Sequence, residues 1–166
     1  IPIGLGEVML APKLEARMLQ EVAVKPTDRI LEVGTGSGYM TALLARQGAH
    51  VYSVDIIDAF VKIAGDRFAQ HGITNVTLET GDGARGWARN APYDAIVLTG
   101  STPVLDPAFQ SSLNAGGRLL AIVGDAPAMT AQLINCEAPG VFRSTGLFET
   151  CVPPLRNAPQ PARFVF

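Results

Sequence analysis

The sequence predicts an α/β protein built on a doubly wound, mostly parallel sheet, with antiparallel strands near the C-terminus. Two observations lead to this fold class. Short apolar runs alternate along the chain with stretches of helical periodicity, which is the pattern of strands connected by crossover helices. The first of these runs, Arg29 to Val33, is followed by glycine at every second position and then by a helical stretch, as in the first half of a nucleotide-type βαβ unit.

Composition bounds the size and class of the protein. The 166 residues are 48% hydrophobic and 17% charged, which predicts one domain, 1–166, with a sizeable core. The net charge is −2 and no Lys/Arg run occurs, so a nucleic-acid partner is not expected. The chain begins at Ile1 without a methionine, which leaves a missing N-terminal segment as an open alternative.

The cysteines and the hydropathy pattern suggest a compartment. Cys136 and Cys151 lack metal-ligand spacing, so no metal site is predicted. They suit a reduced cytoplasm, although two cysteines can also form one disulfide. No signal peptide or transmembrane span is recognised in the sequence, and a membrane partner is therefore not expected.

The first 28 residues predict a loop, a helix and a turn. Pro2, Gly4 and Gly6 favour a loop over residues 1–7. Pro12 suits the first position of a helix over roughly 13–24. One face of that helix is apolar: Leu14, Met18, Leu19 and Val22.

The glycine-rich turn is the most informative stretch. Glu32 lies near the end of the strand over 29–33, and a helix begins at Tyr39 and ends at Gly48, a good C′ residue. A dinucleotide-binding G-x-G-x-x-G would require glycine where Tyr39 stands, so the pattern is acid-x-G-x-G-x-G instead. Glycines let a ligand approach the backbone closely, although such a turn can also bind nothing.

The second strand, 51–55, ends in another acid. Asp55 lies about twenty residues beyond the glycine turn, where a carboxylate can accept both hydroxyls of a ribose. An acid at a strand end is also a common helix N-cap, and the ribose role is favoured here. The next helix is predicted to be capped by Asp58 and to stop at Gly72. Its expected buried stripe is Phe60, Ile63, Ala64 and Phe68.

The third strand, 76–79, runs into a second glycine-rich turn that contains Asp82. Ligands bind at the carboxyl ends of strands in open parallel sheets, so Asp82 is a candidate acceptor for an adenine amino group. A plain Asp-Gly turn is the alternative.

The rest of the chain completes the alternation. A fourth strand over 93–99 is followed by a short helix over 106–113 and a fifth strand over 118–123. Segments 131–135 and 141–147 are expected to be antiparallel strands. The proline-rich tail from Val152 is predicted to be extended, over the domain or at a sheet edge. His50 and His71 are interpreted as structural.

These motifs together resemble the Rossmann-like, S-adenosylmethionine (SAM)-dependent methyltransferases, and within them the protein-L-isoaspartate O-methyltransferases. The resemblance rests on the stretch from Lys25-Pro26 through Tyr39, on Gly81-Asp82-Gly83 with Gly86, on Ala91-Pro92-Tyr93-Asp94-Ala95-Ile96, and on Leu113 with Gly116-Gly117-Arg118-Leu119. It implies SAM as the cofactor and S-adenosyl-L-homocysteine as its product. The residues it implies for cofactor binding are Glu32, Gly34, Thr35, Gly36, Gly38, Asp55, Ile56, Asp82 and Gly83.

The resemblance also implies a repair reaction, and the cysteines predict that it takes place in the cytoplasm. Members of this family methylate the carboxylate of L-isoaspartyl or D-aspartyl residues, so the expected partner is a damaged protein or peptide. The ester then collapses to a succinimide. A carboxylate is already ionised at neutral pH, since its reference pKa is about 4, and no strong base is required. The oligomeric state is left open.

The chain departs from the family pattern in the loop before the first helix. The family has a Ser or Thr there, two positions before a proline, whose hydroxyl contacts the substrate carboxylate. Pro12 aligns with that proline, so Leu10 occupies the hydroxyl position and no catalytic residue is assigned. Leucine cannot form a hydrogen bond. Lys13 is a candidate cation nearby, and the extra proline in Cys151-Val152-Pro153-Pro154-Leu155 leaves the family's aliphatic-Pro-Leu stretch uncertainly aligned.

Three alternatives to the repair reaction follow from this departure and from the glycine spacing. The first is a SAM-dependent methyltransferase with another acceptor, since Leu10 and Met9 make the pocket more apolar. The second is a non-catalytic domain that binds SAM. The third, a nicotinamide-dependent oxidoreductase, is disfavoured by Tyr39.

Overall fold

The computed structural model describes residues 1–162, and residues 163–166 of the proline-rich tail lie outside the described part. The secondary-structure elements of the described chain are β1 (Pro2–Gly4), β2 (Glu7–Val8), α1 (Pro12–Val22), β3 (Arg29–Val33), α2 (Tyr39–Gln47), β4 (His50–Asp55), α3 (Asp58–Gln70), β5 (Val76–Thr80), a 3₁₀ turn (Ala88–Asn90), β6 (Tyr93–Thr102), α4 (Pro107–Ser111), β7 (Leu113–Asp125), β8 (Ala128–Ala138) and β9 (Val141–Thr150). In residues 1–162, no helix is both long and apolar enough to cross a membrane.

Seven strands form the main sheet in the order β5-β4-β3-β6-β7-β8-β9. The pairings from β5 to β7 are parallel, and β8 and β9 are antiparallel. This confirms the predicted fold class. The chain moves outward from β3 to β5 and then returns to the other side of β3, so β3 and β6 flank the point where the strand order reverses. Ligands of open α/β sheets bind outside the carboxyl ends of the strands at such a point.

The core lies on both faces of the sheet. Ile30 packs with residues of α1 and α2, and its neighbour Leu31 packs on the opposite face with residues of β6, α4 and β7. Both residues are fully buried. Because successive side chains of a strand point to opposite faces, a strand covered on both sides is a continuous apolar run, as 29–33 is apart from Arg29 and Glu32.

The C-terminal end of α1 is held by a buried arginine. Arg118 of β7 donates hydrogen bonds to the carbonyl oxygens of Val22 and Ala23 and forms an ion pair with Asp28. Arg118 and Asp28 are 8% and 4% exposed, so each charge has its partner inside the protein. The arrangement positions α1 over the glycine turn.

The predicted N-terminal loop is wrong in part, because residues 2–8 form an antiparallel hairpin. β1 and β2 pair through Pro2↔Val8 and Gly4↔Glu7, and the Met9 N–H donates to the Ile1 carbonyl at 2.8 Å. The glycines that suggested a loop lie at the turn of this hairpin, where φ is positive.

The predicted Asp58 cap is wrong, whereas the predicted end of α2 at Gly48 is confirmed for a different physical reason. Asp58 is the first residue of α3 rather than its cap; its carboxylate accepts a hydrogen bond from Thr80 and pairs with Lys62. Gly48 ends α2 with a φ of −101°, so the left-handed conformation is not the reason for glycine there. A Cβ at Gly48 would collide with Ile30 Cδ1.

The buried stripe of α3 is narrower than predicted. Phe60, Ala64 and Phe68 are buried at a spacing of four residues, whereas Ile63 is 45% exposed. The side chains at i and i+4 follow one row along the helix, and only that row meets the sheet.

Predictions for the C-terminal part are largely confirmed. Segments 131–135 and 141–147 lie in antiparallel strands, although both strands are longer than predicted. The tail is extended and runs along the end of β6, with the Ser101 N–H donating to the Pro153 carbonyl and the Leu155 N–H to the Ser101 carbonyl. Cys136 and Cys151 are free, so the alternative of a single disulfide is wrong.

Candidate cofactor and acceptor site

An open cleft of about 700 Å³, including its solvent-exposed mouth, lies at the carboxyl edge of the sheet. The ends of β3 to β6 supply its floor. The hairpin and the tail supply its outer wall. A smaller cavity shares part of this lining and extends from the glycine turn toward α1. The cleft therefore occupies the position that the strand order favours for a ligand.

The glycine turn presents backbone to both cavities. Gly34 has a φ of +100°, and a Cβ there would collide with the Thr99 hydroxyl, which itself donates to the Gly34 carbonyl at 2.6 Å. Gly36 has a φ of +49° and lines both cavities. Gly38 is the N-cap of α2 and packs against α3, and it lines neither cavity. Two of the three predicted glycines thus face the cleft.

Asp55 lies at the floor of the cleft and is 8% exposed. Its Oδ2 accepts from the Gly36 N–H and its Oδ1 from the Ile57 N–H, each at 2.9 Å. A carboxylate has about four acceptor positions, so both oxygens keep one for a ligand. Asp55 therefore fixes the turn before α3, but the N-cap of that helix is Ile57, so the N-cap alternative is wrong; the remaining acceptor positions of Asp55 are available to ribose hydroxyls. Ile56 follows it and lines the cleft with 38% exposure.

Glu32 lies beneath the glycine turn and does not line either cavity. Its Oε1 accepts from the Thr41 hydroxyl at 2.5 Å and from the Ser53 hydroxyl at 2.6 Å. The Thr35 side chain is buried in the same network, 2.6 Å from the Ser53 hydroxyl. The Glu32 Oε2 atom has no partner within residues 1–162. Burial raises the pKa of Glu32 to about 8, and the two hydroxyl hydrogen bonds oppose this shift.

Asp82 lies at the end of β5 and is shared between a turn and the tail. Its Oδ1 accepts from the Ala84 N–H and its Oδ2 from the Asn157 amide, each at 3.0 Å. Gly83 lines the cleft, and a Cβ there would lie 3.0 Å from both Val33 and Val54. The Asp-Gly turn is thus present, and it places the Asp82 carboxylate at the cleft.

The outer wall joins the two ends of the described chain. Arg156 donates to the Glu7 carboxylate at 2.8 Å and to the Leu5 carbonyl at 3.2 Å. The Leu155 side chain lies above Gly100 at the end of β6. These contacts close the cleft opposite the strand ends.

Leu10 is 7% exposed and lines both cavities, so the position expected to carry a hydroxyl is apolar and faces the site. Lys13 is exposed and lines neither cavity, so the suggestion that it supplies the cation is not supported by its position. Among the described residues that line the larger cleft, Arg156 is the only cation.

Sequence reasoning missed Glu15, Arg156 and Asn157. Nothing in the local pattern around residues 156 and 157 indicates a site, because their contacts are with residues far away in the sequence. The position of Glu15, by contrast, could have been recognised from the sequence. Together with Met18 and Val22 it is one of the three buried residues of α1, at helical spacing, so an acid occupies the buried stripe.

Comparison with protein families gives one match over most of the chain. The family model for protein-L-isoaspartate(D-aspartate) O-methyltransferase matches residues 1–153. A protein-L-isoaspartate O-methyltransferase 1 from Anaeromyxobacter sp. (strain Fw109-5) is 38% identical over 160 residues, which are 95% of this chain and 76% of the relative. The corresponding protein of Serratia proteamaculans is 42% identical over 125 residues, 75% of this chain and 60% of the relative.

Solved structures agree in fold. A protein-L-isoaspartate O-methyltransferase that is 28% identical superposes with a TM-score of 0.77, over 86% of this chain and 46% of that one. A Plasmodium falciparum protein described as a beta-aspartate methyltransferase, in complex with S-adenosyl-L-homocysteine, is 19% identical and superposes with a TM-score of 0.81, over 94% of this chain and 79% of that one.

Proposed function

The chain belongs to the protein-L-isoaspartate(D-aspartate) O-methyltransferase family of SAM-dependent enzymes, and from this premise we propose how its cleft binds cofactor and acceptor. The adenosine end of SAM is assigned to Asp55, Ile56, Asp82 and Gly83. The amino-acid end is assigned to the backbone of Gly34 and Gly36. The acceptor is assigned to the outer wall, at Leu10 and Arg156.

The residues of the cleft fit this cofactor. Asp55 keeps one acceptor position on each oxygen for the two ribose hydroxyls. The missing side chain at Gly36 leaves room for a ligand close to the backbone. At Gly83 it allows the chain to pack tightly beside the ligand. The feature that carries the assignment is Asp55, because one carboxylate both orders the glycine turn and faces the cleft. SAM supplies a methyl group on a sulfonium sulfur, which a carboxylate attacks in line.

The protein's part in the reaction is to position the acceptor and exclude water. The acceptor carboxylate is ionised at neutral pH and needs no base. Leu10 and Leu155 present apolar surface where water would otherwise compete. An apolar wall alone would desolvate a carboxylate without pairing it, which is unfavourable. We assign the pairing to the Arg156 guanidinium, whose remaining N–H groups are available in addition to those bound by Glu7 and Leu5.

The expected partner is thus a damaged protein or peptide with an isoaspartyl carboxylate. The free thiols of Cys136 and Cys151 are consistent with the cytoplasmic location predicted from the sequence.

The test combines binding and turnover in one sample. Calorimetry should detect binding of SAM, and addition of an isoaspartyl peptide should then give a methyl ester. The matched control is the same peptide with ordinary aspartate, which should give none. Absence of SAM binding would overturn the cofactor assignment. Binding of SAM without methylation of the isoaspartyl peptide would overturn the acceptor assignment alone.

A second acceptor class is favoured by one observation. Leu10 is apolar at the junction of both cavities, which suits a less polar acceptor than a carboxylate. A screen of small carboxylates, alcohols and peptides with labelled SAM separates the two. Labelling of an alcohol in preference to the isoaspartyl peptide would favour this second candidate, and no labelling of any acceptor would favour a domain that only binds SAM.

A further inference from the structure

A buried carboxyl group beside the glycine turn has no role in the site described so far. Glu15 lies in the first turn of α1 and is 4% exposed. Its Oε2 atom is buried and has no hydrogen-bond partner within residues 1–162. Leaving a carboxyl oxygen in this state is unfavourable, so its retention calls for a group that pairs with it.

The surroundings of Glu15 point to a ligand rather than to another side chain. Glu15 lines the smaller cavity together with Gly34, Gly36, Leu10 and Met40. It is the only titratable side chain among the described residues of that lining. The cavity therefore has an acidic group on one side and the backbone of the glycine turn on the other, and none of its described lining residues is a cation.

A second unpartnered carboxyl oxygen lies behind the same turn. Among the described residues the buried Glu32 Oε2 atom has no partner, and the charges of Glu15 and Asp55 raise the pKa of Glu32 further. Two carboxyl groups thus influence each other across the glycine turn. Each would be stabilised by one positive charge placed in the cavity between α1 and the turn.

We propose that Glu15 binds the α-ammonium group of SAM directly and is a cofactor-binding residue for its amino-acid end. This inference rests on the proposed function, because it requires the adenosine end of SAM to lie at Asp55. The methionine part then extends along Gly34 and Gly36 toward α1, where its ammonium group meets the Glu15 carboxylate. Glu32 contributes from beneath the turn, through its field rather than by contact with the cavity.

The protonation state of Glu15 makes the inference measurable. Burial raises the pKa of Glu15 to about 7. The charged groups near Glu15 are Glu32 on β3, which Asp55 on β4 also influences, and, on α1 itself, the exposed Lys13 and Arg17, the latter paired with Glu21. A bound ammonium favours the anionic form, so binding below pH 7 releases a proton and affinity for the cofactor rises with pH up to that point.

The experiment compares two ligands that share the adenosine and thioether groups. S-adenosyl-L-homocysteine carries the amino-acid end, and 5′-methylthioadenosine lacks it. Glu15→Gln should weaken S-adenosyl-L-homocysteine by about tenfold to a hundredfold, the range of a charge-assisted hydrogen bond. It should leave 5′-methylthioadenosine within about twofold. Glu21→Gln on the more exposed side of α1 is the matched control and should change neither.

The pH profile provides the second readout. Between pH 6 and pH 8 the affinity of the wild-type protein for S-adenosyl-L-homocysteine should increase. The Glu15→Gln variant should show a smaller increase over the same range. Equal weakening of both ligands by Glu15→Gln, unchanged affinity for S-adenosyl-L-homocysteine, or affinity that falls with rising pH would each overturn the inference while the proposed function stands. No binding of S-adenosyl-L-homocysteine by the unchanged protein would overturn both.

Discussion

The inner and outer walls of the cleft are built in different ways. The inner wall consists of the ends of β3, β4 and β5, whose positions are set by consecutive parallel pairing. The outer wall consists of residues 1–10 and 153–157, which meet through a few side chains. The Arg156–Glu7 contact joins residues 149 positions apart, and the Asn157–Asp82 contact joins residues 75 apart.

This difference separates the rigid from the adjustable part of the site. Inner-wall residues are held by the parallel pairing of neighbouring strands, with β3 and β4 inside the sheet and β5 at its edge, so their geometry depends on the sheet. The outer wall is held largely by partly exposed polar contacts, and the Arg156–Glu7 pair has side-chain exposures of 49% and 28%. Exposed ion pairs contribute little stability. We therefore expect changes of the inner wall to affect cofactor binding and changes of the outer wall to affect the acceptor.

The largest expected effect concerns Glu15, the buried acid of α1 beside the glycine turn. The folded-state pKa of Glu15 is raised from 4.5 to about 7, so the folded protein holds a proton that the unfolded chain loses above pH 4.5. Stability is therefore lost as pH rises from about 4.5 to 7, by about 3 kcal/mol for this group. Thermal unfolding of the cofactor-free protein should show the melting temperature falling over this range.

Glu15→Gln should remove the Glu15 part of this decline, leave the part due to Glu32, whose pKa is raised to about 8, and raise the melting temperature at pH 8. Glu21→Gln again serves as the control. A melting temperature that is constant from pH 5 to pH 8 in the unchanged protein would show that Glu15 is ionised at little cost and would contradict the prediction.

The next effect concerns Asp55. Asp55→Ala removes the acceptor for the Gly36 and Ile57 N–H groups and for the ribose hydroxyls. Affinity for SAM should fall by about thirtyfold to a hundredfold, as for loss of two or more hydrogen bonds to a charged group. Calorimetry measures this, and Asp58→Ala at the exposed start of α3 is the control. Unchanged affinity would refute the ribose assignment.

A smaller effect is expected at the outer wall. Arg156→Gln should raise KM for an isoaspartyl peptide by about tenfold, because one charged hydrogen bond to the acceptor is lost. Affinity for SAM should change by less than about twofold. Arg143→Gln on β9, which removes an exposed ion pair with Glu137 of β8, is the control. Equal weakening of SAM binding and peptide binding by Arg156→Gln would contradict the assignment of the cofactor to the inner wall and the acceptor to the outer wall.

The smallest effect is expected at Leu10. Leu10→Ser restores a hydroxyl at the junction of the two cavities and should raise kcat/KM for the isoaspartyl peptide by about threefold to tenfold, the value of one hydrogen bond. Leu10→Ala, which shortens the side chain without adding a hydroxyl, is the comparison. A Ser variant no better than the Ala variant would show that the acceptor carboxylate does not reach this position.

The inner wall of the cleft could be predicted from the sequence more fully than the outer wall. The position of Gly34, Gly36, Asp55 and Asp82 at one cleft was predictable from the sequence because strand ends in a parallel sheet converge on one edge, whereas Glu32 and Gly38 line neither cavity. The helix and strand order was recognised for the same reason, since apolar periodicity reports which faces are covered. The hairpin 2–8 was missed because its turn residues, Gly4 and Gly6, are equally common in loops.

The sequence by itself determined the sheet, the glycine turn and the family, because these depend on local periodicity and on residues close together in the chain. Only the tertiary structure decided that Glu32 lies beneath the turn, that Glu15 faces a cavity and that Arg156 reaches Glu7. A side chain's burial, its partners and hence its pKa are set by elements that fold against it from distant parts of the sequence.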